Sequence, residues 1–432
     1  MPDISGQMEG SQGQQIRQLT IGLGSALDAF AEVDEVNELI SDLNALGEER
    51  YKERITEILD LYQEQPHLLD PHLPGFLSRL INAILKIGSN TKENDTVRPK
   101  CVDEAHSAAF CAQQLVKVRG HKVAVRHFPH EVHHVEAVLA ILEMQNAEAS
   151  ENWETRYVLL LWMSMLVLIP FHLARFDTNK VDEMNEKSSS LLKSENIPPK
   201  TVIERILLIC KKYLVVGNKN QQAACLLSAK FLTRPEIIKL GHLANFLDWI
   251  AQKIVSNDST DFEKTGALMA LAAIYKHGKR EDILEYAPNI LSLLTNSESA
   301  SRKSKNMQIQ KLGIKVIQRL GLTFLKARVA TWRYQRGCRS LAMNLGEVTD
   351  SKIMKLENSE LESSQTDTID EDYFVPEEIE EIIQELLEGL RSSETIIRWS
   401  AAKGIGRITG RLPKDMADDV VESLFEVFSL KV

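Results

Sequence analysis

The sequence has few of the residues that mark β-rich or secreted proteins. It contains 21 glycines and 13 prolines in 432 residues, too few to supply a turn about every ten residues as an all-β protein needs. Its five cysteines are odd in number and show no C-x-x-C spacing, and the first fifteen residues are polar. These features predict a cytoplasmic protein with free thiols.

Long apolar runs are also lacking. The longest extends from Tyr157 to Ile169 and stops at Pro170. As a helix it would span about 20 Å, whereas the hydrocarbon core of a bilayer is about 30 Å thick. We therefore predict a buried helix and no membrane span. The net charge of -10 gives no reason to expect nucleic acid as a partner.

Helical periodicity is the dominant pattern that is present. Apolar residues recur at helical spacing in three successive segments near the C-terminus: Ile379, Ile382, Ile383, Leu386, Leu387, Leu390; Ile397, Ala401, Gly404, Ile405, Ile408; and Met416, Val420, Val421, Leu424, Phe428. Each set forms one stripe on a helix. Amphipathic helices joined by short polar turns are typical of an α-solenoid.

The second of these segments is rich in small residues: Ser400, Ala401, Ala402, Gly404 and Gly406. Small side chains let neighbouring helices approach closely, as in the second helix of a HEAT repeat. Looser helix pairs follow the same pattern at 54–61 with 76–87, 203–232, 243–256 with 262–276, and 283–294 with 307–325. The sequence predicts an all-α fold, an irregular HEAT/armadillo-like α-solenoid.

Polar segments set the expected domain organisation. We expect a disordered N-terminus at 1–20 and a helical repeat array at 21–345, with loops near 88–100 and 177–200. An acidic, disordered linker at 346–375 has too few apolar residues to form a core. Further repeats are expected at 376–432.

The charge distribution changes sign abruptly along the chain. Arg302 to Arg339 contains eleven Lys/Arg and no acid, and Glu357 to Glu388 contains thirteen Asp/Glu and no Lys/Arg. The basic run is either a solvated helix face or a partner-binding surface, because cations alternate there with the aromatic residues that often anchor interfaces. The acidic run is either a solvated loop or a segment that covers the basic one. The candidate partner-binding residues are Lys326, Arg328, Trp332, Arg333, Tyr334, Arg336 and Arg339.

One short motif suggests catalysis. His130, Glu131 and His134 satisfy H-E-x-x-H, in which two histidines on one helix face bind zinc and the glutamate acts as a base. Pro129 places the motif in the opening turn of any helix, and the segment is rich in histidine. We favour packing or surface histidines and keep a zinc peptidase as the alternative. No cofactor-binding or catalytic set is found elsewhere.

Longer stretches carry a resemblance to a known family. They are Y-Q-E-Q-P-H-L-L-D-P-H-L (62–73), W-E-T-R-Y-V-L-L-L-W (153–162), F-L-T-R-P (231–235), K-H-G-K-R-E-D (276–282), R-L-G-L-T-F-L-K-A-R-V-A-T-W-R-Y-Q-R-G-C-R-S-L (319–341) and R-W-S-A-A-K-G-I-G-R-I-T-G-R-L-P (398–413). Together they resemble the tubulin-folding cofactor D family. Family chains are much longer, so we expect a repeat array cut short at Val432.

The resemblance implies a non-catalytic interaction protein. Its expected partners are β-tubulin, cofactor E, cofactor C and an Arf-like small GTPase, and its expected role is assembly and disassembly of the α/β-tubulin heterodimer. GTPase activation on tubulin is expected only within the multi-cofactor assembly. The family is associated with the cytoplasm, cytoskeleton, centrosome and lateral cell junctions. Tubulin has an acidic surface with glutamate-rich tails, which suits a basic docking segment. The alternative is a generic HEAT-repeat scaffold or transport adaptor.

Overall fold

The computed structural model describes residues 29–89, 98–177, 201–296, 304–327 and 374–429. These residues form α-helices and short 3₁₀ turns, and no strand occurs among them. The predicted all-α class is confirmed. The predicted domain limits at residues 20 and 345 lie outside the described residues and stay predictions.

Eighteen α-helices are found in the described ranges. They are α1 (Val33–Ser41), α2 (Glu49–Asp60), α3 (Leu73–Ser89), α4 (Arg98–Arg119), α5 (His121–Ala124), α6 (His134–Met144), α7 (Trp153–Leu166), α8 (Val202–Leu214), α9 (Asn220–Leu232), α10 (Pro235–Lys239), α11 (His242–Val255), α12 (Asp261–His277), α13 (Arg280–Ile283), α14 (Ala287–Thr295), α15 (Met307–Phe324), α16 (Glu378–Leu390), α17 (Thr395–Thr409) and α18 (Lys414–Ser429). They group into two compact units, Met1–Leu243 and Ala244–Val432.

Local sequence signals fix where several helices begin. Thr201 and Thr260 each accept a hydrogen bond from the backbone N–H three residues on, and the glutamate at that position bonds back to the threonine N–H. These capping boxes satisfy N–H groups that a helix start otherwise leaves unpaired. They place the starts of α8 and α12 within two residues of the predicted positions.

The first unit buries the long apolar run of the sequence. Most of that run lies on α7, where Val158, Leu160 and Trp162 are fully buried. The Trp162 indole N–H donates to the carbonyl of Pro129 at 2.5 Å. The prediction of a buried helix is therefore confirmed. In the described part of the chain, no helix combines the length and the apolarity that crossing a membrane requires.

A buried arginine organises the turn that follows α7. Arg234 is 9% exposed and lies just before α10. Its guanidinium donates to the carbonyls of Val167, Ile169 (3.0 Å) and Phe171 (2.6 Å), and it forms an ion pair with Glu236. One side chain thus satisfies three carbonyls that have left the helix ladder. This gives a structural role to the arginine of the F-L-T-R-P motif.

The second unit is built around α15. Helices α12, α16 and α17 all pack against it, and α16 also packs against α17. Three buried glycines lie at these contacts: Gly321, Gly389 and Gly404. A Cβ at Gly321 would be 2.7 Å from Cδ1 of Ile408, and one at Gly404 would be 2.9 Å from Cδ2 of Leu386. Only a residue without a side chain fits at these positions without displacing its neighbours.

The predicted role of the small residues on α17 is confirmed for some of them. Ala401 is buried, and its Cβ lies 3.0 Å from the position that a Cβ on Gly389 would take. Ala402 and Gly406 are instead exposed, and a Cβ on Gly406 would meet nothing within 4 Å. The prediction of close packing was wrong for these two, because they lie on the face of α17 that points away from α15 and α16.

Candidate functional site

Two neighbouring helices of the second unit present cations along facing stripes. On α15, Lys311, Lys315 and Arg319 follow one another at intervals of four residues, and on α17 Lys403 and Arg407 do the same. Residues four apart share a helix face. Because α15 packs against α17, the two stripes border one cavity of about 670 Å³.

The end of α12 and the residues beyond it close one end of this cavity. The full set of lining cations is Lys276, Arg280, Lys311, Lys315, Arg319, Lys403, Arg407 and Arg411. No aspartate or glutamate is present among the described residues that line it. We call this site the basic cleft.

Two of the cations have a structural role. Arg280 donates to the carbonyl of Phe324 at 3.0 Å, and Arg411 donates to the carbonyls of Leu322 and Leu325 at 2.6 and 3.1 Å. These carbonyls belong to the C-terminal end of α15, where helical acceptors lack intrahelical partners and positive charge is favoured. The two arginines therefore fix the end of α15.

The cations deeper in the cleft are held in an unfavourable setting. Burial lowers the pKa of Lys315, and the charges of Arg319, Lys311, Lys276 and Arg407 lower it further. Burial also lowers the pKa of Arg319 to about 10, and Arg407 contributes to the same shift. A lowered pKa means that the folded state disfavours these charges relative to water. Perturbed pKa values cluster at functional sites, and a bound anion would make these charges more favourable.

We expect Arg319→Met to raise the stability of the free protein. The substitution keeps the packed aliphatic stem and removes a half-buried charge, so the free energy of unfolding should rise by about 1 kcal/mol after solvent screening is allowed for. Because the folded-state pKa lies below the unfolded one, the unfolded chain binds more protons between the two values. Wild-type stability should therefore rise towards that of the variant as the pH increases through about 10.

Thermal unfolding at neutral pH, followed by circular dichroism, measures this effect. The matched control is Lys414→Met, which removes an exposed charge outside the cleft and should change the free energy of unfolding by less than about 0.5 kcal/mol. An Arg319→Met protein that unfolds at or below the wild-type temperature would contradict the interpretation.

Exposed apolar side chains lie at the mouth of the basic cleft. Trp399 is 64% exposed and Ile396 is 44% exposed. The ammonium of Lys403 lies 4.9 Å from the centroid of the Trp399 ring. A solvent-exposed tryptophan among cations is the composition of a binding hot spot, since Trp and Arg supply much of the affinity at protein interfaces.

Two family models match the chain. The first, described as "Tubulin-specific chaperone D-like, ARM repeat", matches residues 59–254. The second, "Tubulin-specific chaperone D-like, ARM repeats", matches residues 308–432, which include most of the basic cleft. The chain belongs to the tubulin-specific chaperone D-like family. The armadillo repeats of these models confirm the predicted α-solenoid.

Relatives with curated names agree with this assignment. The "Tubulin-folding cofactor D" of Schizosaccharomyces pombe is 24% identical over 88% of this chain and 29% of its own length. The "Tubulin-specific chaperone D" of Dictyostelium discoideum is 26% identical over 85% of this chain and 30% of its own length. The chain thus spans less than a third of the length of either relative.

Solved structures add only a weak likeness. A crystal structure of Kap121p bound to Nup53p is similar at 13% identity and a TM-score of 0.37, over 89% of this chain and 34% of that one. A likeness at this level says nothing about function.

Three stretches that carry the resemblance to this chaperone family meet at the basic cleft. The 276–282 stretch supplies Lys276 and Arg280, and the 398–413 stretch supplies Trp399 and Lys403. The 319–341 stretch supplies Arg319, Leu322 and Thr323 from the last turns of α15. Segments more than a hundred residues apart in sequence therefore form one site.

Most of the predicted partner-binding residues lie outside the described part of the chain. Lys326 is exposed, two residues beyond the end of α15, and is not among the residues that line the cavity. The others, Arg328, Trp332, Arg333, Tyr334, Arg336 and Arg339, lie outside the described residues. Sequence reasoning overlooked Trp399, Lys403 and Arg407. The available signal was the four-residue spacing of cations on α17.

The H-E-x-x-H motif does not form the helical zinc site. Helix α6 begins at His134, so His130 precedes it and the two histidines do not share a helix face. Ligand atoms of Glu131, His133 and His134 lie within 4.8 Å of one another and could hold a metal. His134 is buried beside Trp162, with ring centroids 5.4 Å apart, and burial is the main cause of its lowered pKa. This packing supports the favoured interpretation of a structural histidine.

Proposed function

We propose that this chain is the tubulin-binding part of a tubulin-folding chaperone and that it acts without catalysing a reaction. Family membership supports the chaperone role, and the basic cleft supports the means of binding. An acidic segment of tubulin would enter the cleft and supply the negative charge that its described lining lacks. The uncompensated charge on α15 and α17 is the single observation that carries this proposal.

Binding at the basic cleft would combine two effects. The cations of the cleft attract an acidic partner over about one Debye length, roughly 8 Å at physiological ionic strength, and so speed association. Trp399 and Ile396 would then pack against apolar side chains of the partner and slow dissociation. The basic segment from Lys326 to Arg339 follows α15 in the sequence, and we propose that it also binds the acidic partner.

We also propose, from the resemblance to the family, the tubulin subunit, the partner proteins and the cellular location. The partner within tubulin would be the β subunit, and the chain would act with cofactors E and C and an Arf-like small GTPase when the heterodimer is assembled or separated. Stimulation of GTP hydrolysis on tubulin would require that whole assembly. The chain would act in the cytoplasm, with association to centrosomes and lateral cell junctions.

The proposed function is tested by direct binding to purified tubulin. The 432-residue chain, immobilised on a biosensor surface, should bind tubulin in about 50 mM salt and release it progressively towards about 300 mM, because exposed charges are screened over this range. Tubulin whose glutamate-rich tails have been removed by limited proteolysis should bind more weakly. If intact tubulin does not bind at the lowest salt concentration, the chain alone is not a tubulin-binding part.

A further inference from the structure

The basic cleft has the dimensions of a small-ligand site. Its volume of about 670 Å³ falls within the range of roughly 300–1,000 Å³ that is usual for pockets holding small molecules and cofactors. An extended acidic peptide could lie along the mouth of the cleft without filling this space. The cavity is therefore large enough for a small ligand.

The clustering of cations in the cleft indicates which chemical class of ligand would bind there. Arg407 is close enough to disfavour the charges of Lys315 and Arg319, and Arg319, Lys311 and Lys276 also disfavour that of Lys315. Single carboxylates spread along a peptide would neutralise such a cluster only in part. Phosphate groups concentrate negative charge, and the planar fork of arginine matches their oxygens through paired hydrogen bonds.

Two polar atoms at the α12 end of the cleft point to the same chemistry. No described residue offers a hydrogen-bond partner to the hydroxyl of Tyr275 or to Nε of Arg280, although both residues line the cavity. Tyr275 is only 6% exposed, and burial raises its pKa so that it remains a donor. Buried donors without acceptors are uncommon in folded proteins. Phosphate oxygens would supply acceptors for both.

We propose that the basic cleft binds a compact polyphosphate, such as a multiply phosphorylated inositol. Arg319, Lys315 and Arg407 bind the phosphates from α15 and α17, and Tyr275 and Arg280 donate hydrogen bonds from the α12 end of the cavity. This binding goes beyond the proposed function, because it does not require tubulin. The same chemistry could come from a soluble ligand or from the headgroup of a phosphoinositide lipid.

Isothermal titration of the full chain with inositol hexakisphosphate tests the proposal directly. We expect one site per chain, with heat that diminishes as salt is added. Arg319→Gln and Arg407→Gln should each weaken binding about tenfold, as expected for loss of a charge-assisted contact. Tyr275→Phe should weaken it less, about threefold, since one neutral donor is removed. The matched control Lys414→Gln removes an exposed charge outside the cleft and should bind as wild type does.

Two further binding measurements distinguish a lipid headgroup from a soluble ligand and test whether the phosphate groups are needed. If the ligand is a lipid headgroup, vesicles of phosphatidylcholine containing phosphatidylinositol bisphosphate should bind the chain through the same residues. If the chain binds the hexakisphosphate but not these vesicles, the ligand is soluble. Unphosphorylated inositol should not bind. Absence of binding by either phosphorylated probe at low salt, or binding that Arg319→Gln and Arg407→Gln leave unchanged, would overturn the proposal whether or not the chain binds tubulin.

Discussion

Replacing Arg234 by alanine should lower the free energy of unfolding by about 3–5 kcal/mol, one of the two largest effects expected in this protein. The substitution leaves the carbonyls of Val167, Ile169 and Phe171 without their shared donor, and it leaves the half-buried Glu236 without its ion-pair partner. Unsatisfied buried polar groups retain the full cost of desolvation. The turn after α7 should lose its fixed conformation.

Urea unfolding followed by circular dichroism gives this quantity, with hydrogen exchange reporting on the turn at 167–171. Lys239→Ala is the matched control, because Lys239 is an exposed cation on α10 five residues away. Glu236→Gln should cost less than Arg234→Ala, since the arginine would keep its three carbonyl acceptors. Equal stabilities for Arg234→Ala and Lys239→Ala would show that the arginine does not organise the turn.

The second large effect concerns binding. The double substitution Lys403→Glu with Arg407→Glu should weaken tubulin association by about a hundredfold at low salt, roughly 2.7 kcal/mol. Both side chains are exposed on α17, so the helix should remain intact. Reversing these two charges weakens the attraction of the basic cleft and adds repulsion on α17. The salt dependence of the association rate should flatten as well.

A biosensor measurement of association and dissociation rates distinguishes this effect from a general change in net charge. The control is Lys239→Glu with Lys414→Glu, which alters the net charge by the same amount at exposed positions outside the cleft. Circular dichroism of both double variants should match wild type. If the two double variants bind tubulin equally well, the basic cleft is not the docking surface.

Much of the helical architecture could be predicted from periodicity. The predicted pair at 243–256 and 262–276 corresponds to α11 and α12 within two residues, and the stripe from Ile379 to Leu390 corresponds to α16. Apolar spacing is a local property, because a helix buries one face whatever its partner is. Short-range signals such as the capping boxes sharpen the boundaries.

The basic cleft could not be predicted in the same way. In the sequence, Arg302 to Arg339 contains eleven cations and no acid, a pattern that predicts either a solvated helix face or a partner-binding surface. The structure places Lys311, Lys315 and Arg319 on a packed helix, where only one face is accessible. The second stripe of cations, on α17, is about eighty residues further on in the sequence. Only tertiary packing brings the two stripes together.

The acidic run shows a related limit of sequence reasoning. Its last part, from Glu378 to Glu388, lies on α16 and not in a loop. Glu378, Glu380 and Glu381 occupy the first turn of that helix, where negative charge is stabilised by the helix dipole. From composition alone, these glutamates cannot be distinguished from the acidic residues before them. Their position on the helix gives them a local structural role.

Two glycines in the core of the second unit affect the electrostatic field of the basic cleft, because they determine how close its two rows of cations lie. Gly321 lies against Ile408, and Gly404 lies against Leu386 and Gln318, so α15 and α17 can approach as closely as they do because neither glycine carries a side chain. Any side chain at either glycine would spread the helices and, with them, the two rows of cations. Coulomb energy falls with distance. Affinity for anions can therefore be altered by a substitution that touches no charged residue, and variation at Gly321 or Gly404 would change binding from within the core.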